Sequence, residues 1–145
     1  MINVSYEDYL AEHGTLTYSN VGISMLPMLK QGRDLFTVRK KGTERCKKYD
    51  VVLYRRPPSS YVLHRIIRVR ASDYVILGDN CINREYGITD DDVIGVLTEF
   101  VHNGKKYTAD DVCYRLYSRI WVTAAPLRIV LTKVRHRIGR KRHEA

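Results

Sequence analysis

Between residues 15 and 108 the apolar runs are short, and turn residues interrupt each of them. Apolar or β-branched stretches at 16–21, 35–38, 50–54, 61–69, 74–77 and 93–101 alternate with polar or turn-forming segments. Pro57-Pro58-Ser59-Ser60 reads as a turn, so the strands on either side of it can form a hairpin. His102-Asn103-Gly104-Lys105 carries the Asn-Gly pair favoured in two-residue hairpin loops. The stretch 80–92 reads as one polar loop. Many short strands separated by turn signals predict a small, mainly β, mostly antiparallel fold. Tyrosine, with 11 residues against 2 Phe and 1 Trp, suits half-buried strand surfaces.

The two ends read differently. Residues 4–12 predict a short amphipathic helix capped by Ser5, with Glu7 and Asp8 at its positive end and Gly14 as its stop. Residues 110–125 fit a second helix, with Thr108 as a cap and Val112, Leu116, Ile120 and Trp121 as one apolar stripe. Pro126 breaks or restarts it. Beyond it Leu127, Val130, Leu131, Val134 and Ile138 recur at helical spacing among arginines and lysines. The expected division is a β domain over 1–107 and a helical basic tail over 108–145. At 145 residues, with 44% hydrophobic and 28% charged side chains, the chain suits one modest core.

The net charge of +9 is concentrated at the C-terminus. Residues 128–145 carry Arg128, Lys133, Arg135, Arg137, Arg140, Lys141 and Arg142 against the single carboxylate of Glu144. An anionic partner meets this tail first. Three readings of it are open: a helix packing its apolar stripe on the domain, a helix lying on an anionic membrane surface, or nucleic-acid binding. No helix-turn-helix or aromatic-basic strand motif supports the last, and no nucleic-acid partner is expected. The first 20 residues hold Glu7, Asp8 and Glu12 and lack the apolar core of a secretory signal. The most apolar stretch, 112–131, is interrupted by Arg115, Arg119, Pro126 and Arg128, which argues against a membrane span. A cytoplasmic or peripherally membrane-associated location is expected. Cys46, Cys81 and Cys113 have neither disulfide-like nor zinc-like spacing and read as reduced thiols. Asp90-Asp91-Asp92 reads as a loop or cap cluster, not a cation site.

Three segments carry chemistry. Gly22-Ile23-Ser24-Met25-Leu26-Pro27 sets a serine just after a glycine, where a sharp turn can expose it. Such a hydroxyl is a poor nucleophile until a base takes its proton. Val62-Leu63-His64-Arg65-Ile66-Ile67 supplies a histidine whose strand alternation sets His64 and Ile66 against Leu63, Arg65 and Ile67. Tyr74-Val75-Ile76-Leu77-Gly78-Asp79-Asn80 supplies a carboxylate where a strand meets a turn. Serine, histidine and acid are the parts of a nucleophile, base and orienter relay. Each also has a plainer reading: Ser24 as a turn serine, His64 as a core or edge histidine, Asp79 as a turn-holding carboxylate and Glu85 as a solvated loop charge.

Taken together, the segments resemble a known family. Ser24-Met25 followed by Pro27, Gly32 and Asp34 resembles the serine box of signal peptidase I and related S24/S26 serine peptidases. Asp50-Val51-Val52-Leu53-Tyr54, His64-Arg65-Ile66 and Gly78-Asp79-Asn80 resemble the later boxes in the same order, over residues 14–100. Histidine as base is similar to the endoplasmic-reticulum and sporulation-type signal peptidases; most bacterial members and the LexA-type self-cleaving repressors use lysine. The resemblance implies a LexA-like, signal-peptidase-like β fold and a serine endopeptidase with Ser24 as nucleophile and His64 as general base.

In the relatives the orienting acid lies a few residues past the Gly-Asp-Asn aspartate. That position falls on Glu85, with Asp79 as its rival. Many relatives carry a hydroxyl residue two positions before the nucleophile, where this chain has Gly22. Oxyanion stabilisation then falls to backbone N–H groups, including that of Ser24. The implied substrate is an extended signal or leader peptide with small side chains near the cut, and no metal or organic cofactor is implied. Two other classes remain: a LexA-like regulator that cuts itself, and a non-catalytic peptide- or membrane-surface-binding module on the same fold.

Overall fold

The structure, a computed structural model, describes residues 4–143; Glu144 of the tail lies outside them. It is mainly antiparallel β-sheet with one short N-terminal helix and two C-terminal helices. Helix α1 (Tyr6–His13) begins as its sequence predicts: the Ser5 hydroxyl accepts the Asp8 N–H, and Gly14 ends the helix in the left-handed region at φ 78°. The strands are β1 (Thr15–Ser19), β2 (Leu35–Lys40), β3 (Val51–Arg56), β4 (Ser60–Val69), β5 (Tyr74–Leu77), β6 (Glu85–Ile88), β7 (Val93–His102) and β8 (Lys105–Thr108).

They form one sheet in the order β1-β2-β7-β3-β4-β5-β6, with β8 also pairing with β7. The β3–β4 and β7–β8 hairpins form at the expected turns, and Asn103 and Gly104 both take positive φ in the second. The stretch expected to be one polar loop, 80–92, contains β6. Its Glu85-Tyr86-Gly87-Ile88 lacks apolar alternation, and edge pairing to β5 rather than burial defines it as a strand.

The sheet is covered on both faces, which is why β3 and β5 are apolar at every position in their cores. On β3, Val51 and Leu53 join Leu10, Met25, Leu29, Phe36 and Leu63 in one cluster. Val52 and Tyr54 join Ile66, Tyr74, Ile76 and Val96 in the other. Each fully buried aliphatic side chain stabilises the fold by about 1.5–3 kcal/mol.

The C-terminal helical tail expected from sequence is present as helices α2 (Val112–Thr123) and α3 (Ala125–His143), and both pack on this body. Tyr114 of α2 enters the first cluster, and Ala125 and Ile129 of α3 cover Leu77. The stripe expected to define α2 is not one face: Val112, Leu116 and Ile120 point outward and are exposed, while Trp121 turns inward with the buried Tyr114 and Ser118 and donates to the Asp79 carbonyl at 2.8 Å. The N-cap is Asp111, and its carboxylate turns back to accept the Thr108 N–H. Pro126 restarts the helix from within the first turn of α3, where its missing N–H costs nothing.

Candidate active site

Ser24 sits in the long connection between β1 and β2. The turn is pinned from below by Met25 and Leu29, both fully buried, and closed by a bond from the Leu29 N–H to the Met25 carbonyl at 3.0 Å. Asn20 donates to the Leu29 carbonyl at 3.3 Å and Gln31 accepts the Gly22 N–H at 2.8 Å. Gly22 takes φ 80°, a conformation that a hydroxyl-bearing L-residue would adopt only with strain. The exit of the connection is held by Asp34, which accepts from Arg33 and from the N–H groups of Lys30 and Asn103. Burial works against that carboxylate's charge. The Arg33 hydrogen bond and the two N–H groups nonetheless hold it well below the usual carboxylate range.

The Gly78-Asp79-Asn80 turn stitches to this connection. The Asn80 N–H donates to the Ser24 carbonyl at 2.8 Å, and the Asn80 amide donates to the Ile23 carbonyl at 3.1 Å. Gly78 is required by crowding. A Cβ there would lie 2.8 Å from the Ser24 carbonyl oxygen, 2.9 Å from His64 Nε2 and 2.6 Å from Cys81 Sγ. Serine loop, histidine strand and turn therefore converge on one point that only a glycine leaves open.

His64 lies on β4, opposite Val52 of β3, with 6% of its surface exposed. The Tyr54 hydroxyl, two residues along β3 on the same face, lies 3.2 Å from its Nδ1, and Glu85 Oε1 lies 3.9 Å from that nitrogen. Glu85 is also ion-paired with Arg56, which in turn reaches the Tyr54 oxygen at 3.4 Å. Nε2 faces the other way, toward Cys81 Sγ at 4.0 Å and the serine loop. Burial, and then the Arg56 charge, push the His64 pKa from 6.5 down to about 4, with Asp79 opposing them, so the imidazole is neutral at neutral pH. The Tyr54 hydroxyl can donate to Nδ1 or accept from it, according to the tautomer. A carboxylate only accepts, so an approach of Glu85 closer than its 3.9 Å would favour hydrogen on Nδ1 and leave the Nε2 lone pair facing the serine loop.

Ser24 and His64 line the same open cleft of about 790 Å³, together with Arg56, Asn80, Cys81 and Glu85. Among the described residues no hydrogen bond joins Ser24 Oγ to His64; the imidazole partners are Tyr54 and, loosely, Cys81. No family model, curated protein or solved structure matches this chain. The site is therefore read from its geometry.

The two candidate acids occupy different places. Asp79 is 2% exposed and grips Arg65 with both oxygens, at 2.8 and 2.9 Å, while Tyr117 donates to it at 2.9 Å. Its side chain points into the protein, away from the cleft lining. Glu85 reaches the imidazole from the edge strand β6. Burial of Cys81 is the largest influence on its thiol and raises the pKa, so the sulfur is a neutral thiol and not an activated thiolate.

Several groups around the site were not singled out from sequence. Tyr54 and Arg56 belong to the β3 strand, and their approach to His64 follows from the β3–β4 register, in which Val52 faces His64 and Tyr54 is its diagonal neighbour. Thr132 and His136 of α3 form part of the cleft wall, and no sequence spacing marks them.

Proposed function

We propose that the chain is a serine endopeptidase acting on extended peptides, of the signal peptidase type that its motifs resemble. The observation that carries this reading is the convergence at Gly78. It brings the Ser24 loop, the Nε2 face of a neutral histidine and an open cleft of about 790 Å³ into one place. On substrate binding His64 Nε2 takes the Ser24 proton as Oγ attacks the peptide carbonyl. The protonated imidazole then gives that proton to the leaving amine. A water deprotonated by the same nitrogen releases the acyl group and restores Ser24. Tyr54 holds Nδ1, and the charge of Glu85, 3.9 Å from that nitrogen, offsets the imidazolium formed in each half-reaction. Gly22 offers no hydroxyl, and its N–H is occupied by Gln31, so the oxyanion would rely chiefly on the Ser24 N–H.

Support for the substrate class comes from the motif resemblance and from the exposed apolar rim of Val21 and Ile23 beside Ser24. Incubation of the pure chain with a library of leader-like peptides tests the reading. Wild type should cut, and Ser24→Ala and His64→Ala should each lower the rate by about 10⁴-fold or more while melting as wild type does. Full turnover by Ser24→Ala would overturn the mechanism. Turnover lost instead in Cys81→Ala would move the nucleophile to the thiol. A fragment appearing without added peptide would mark self-cleavage.

A further inference from the structure

Helix α3 carries two faces with different surroundings. Ala125 and Ile129 are buried on the domain, and Thr132 and His136 continue that face along the cleft wall. The opposite face carries Leu127, Leu131, Val134 and Ile138, spaced four, three and four residues apart and therefore in one row. All four point to solvent, with 63%, 49%, 45% and 52% of their surfaces exposed. The apolar stripe is thus turned away from the protein that it was free to pack against.

Its flanks are basic. At 100° per residue, Arg135 and Arg142 fall on one side of the row and Arg137 and Lys141 on the other, all exposed. Residues 125–143 contain no Asp or Glu. No described helix is long and apolar enough to cross a membrane.

We infer that α3 lies flat on an anionic lipid surface, with Leu127, Leu131, Val134 and Ile138 in the acyl boundary and the four basic side chains on lipid phosphates. The charge pattern selects this occupant. Long Arg and Lys stems on both sides of an apolar row can rise to the headgroups while the row sinks below them. A second copy of the chain would bring two rows of like charge together, and a nucleic acid would leave the apolar row unburied. The helix measures roughly 28 Å at 1.5 Å per residue, so its whole length can lie in the interface. On the peptidase reading, on which this consequence alone rests, the inner face of the docked helix holds the cleft beside the bilayer and favours substrates tethered there.

Vesicle co-sedimentation of the full chain tests the docking without any substrate, so its outcome is separate from that of the peptidase. The chain should sediment with equimolar phosphatidylcholine and phosphatidylglycerol vesicles and remain in solution with phosphatidylcholine alone. The Arg135→Gln, Arg142→Gln pair should weaken partitioning about thirtyfold, and the Leu131→Ser, Ile138→Ser pair at least tenfold. All four side chains are exposed, so unchanged melting curves check that the variants fold. Absence of binding to either vesicle, or equal binding to both, overturns the inference. So does a dimer that the Leu131→Ser, Ile138→Ser pair abolishes in a chain that ignores vesicles. Binding to nucleic-acid fragments that survives the same pair, without vesicle binding, overturns it as well.

Discussion

Asp79 and Glu85 lie on either side of one turn, and they differ in almost every physical respect. Asp79 is enclosed. Both carboxylate oxygens grip Arg65, Tyr117 adds a third bond, and the Asp79 carbonyl accepts from Trp121 Nε1 and Arg128 Nη1 at 2.8 Å each. Arg65 is itself fully buried and further held by Ser118 at 2.7 Å and Tyr114 at 3.2 Å. Burial works against the Arg65 charge, yet Asp79 beside it more than offsets that and keeps the guanidinium protonated far above its ordinary range. Glu85 has a 27% exposed side chain, one salt-bridge partner in Arg56 and a free path to the cleft. The satisfied acid ties β4, the turn and α2 together, with α3 attached through the neighbouring carbonyl. The open acid has capacity left to respond to a charge that develops on His64.

The largest effect should follow from breaking the enclosed pair. Asp79→Ala leaves a buried guanidinium without its carboxylate, which costs about 3–5 kcal/mol. For a protein whose whole stability lies in the usual 5–15 kcal/mol range, much of the chain should then be unfolded or easily melted. Urea midpoints for Asp79→Ala against wild type measure this. A change below about 1 kcal/mol would mean that the α2 and α3 contacts hold the turn without the ion pair.

A second contrast separates the two sites by pH. His64, faced by Tyr54, Arg56, Glu85 and Cys81, has a pKa of about 4 in the fold and near 6.5 when unfolded. A depressed folded value means that the unfolded chain takes up the proton first. The stability linked to the neutral imidazole is complete above pH 6.5 and declines as the pH falls toward 4, by on the order of 3 kcal/mol. The Asp34 carboxylate, held well below the usual range, is linked to losses only at lower pH. Stability measured from pH 7 to 4.5 should therefore slope down in wild type and much less in His64→Gln. Equal slopes would mean that the histidine is solvated.

What could be read from sequence follows from how local the cause is. The Ser5 cap, the Gly14 stop, the Asn103-Gly104 turn and the apolar runs of β3 and β4 depend on neighbours in the chain, and the elements they predict are present. Strand β6 was missed because Glu85-Tyr86-Gly87-Ile88 has no buried face, and pairing with β5 alone makes it a strand. The outward stripes of α2 and α3 were missed because an apolar row does not reveal which partner it faces. Here polar side chains on the opposite face of α2, Tyr114 and Ser118, had a better partner in Arg65. For the site, the residue types of Ser24, His64 and Glu85 were legible. The division of labour between Asp79 and Glu85 was not, because it depends on Arg65, whose burial in the His-Arg-Ile run appears only when α2 closes over it.

The smallest expected stability effect tests that division most closely. Glu85→Gln removes a partly exposed ion pair with Arg56, a change that should move stability by no more than about 0.5–1 kcal/mol. Its effect on the imidazole should be larger. A glutamine amide can donate to Nδ1, which shifts the hydrogen to Nε2 and turns the nitrogen facing Ser24 from acceptor to donor. Peptide cleavage should then fall by roughly 10²-fold with KM little changed, and the ¹⁵N chemical shifts of His64 should report the altered tautomer. Glu85→Asp keeps the accepting carboxylate and should recover part of the rate. Unaltered cleavage and an unaltered tautomer in Glu85→Gln would transfer the orienting role to Tyr54, whose hydroxyl is the nearer group at 3.2 Å. In that case Tyr54→Phe would carry the rate loss, and the asymmetry between the two acids would concern stability alone.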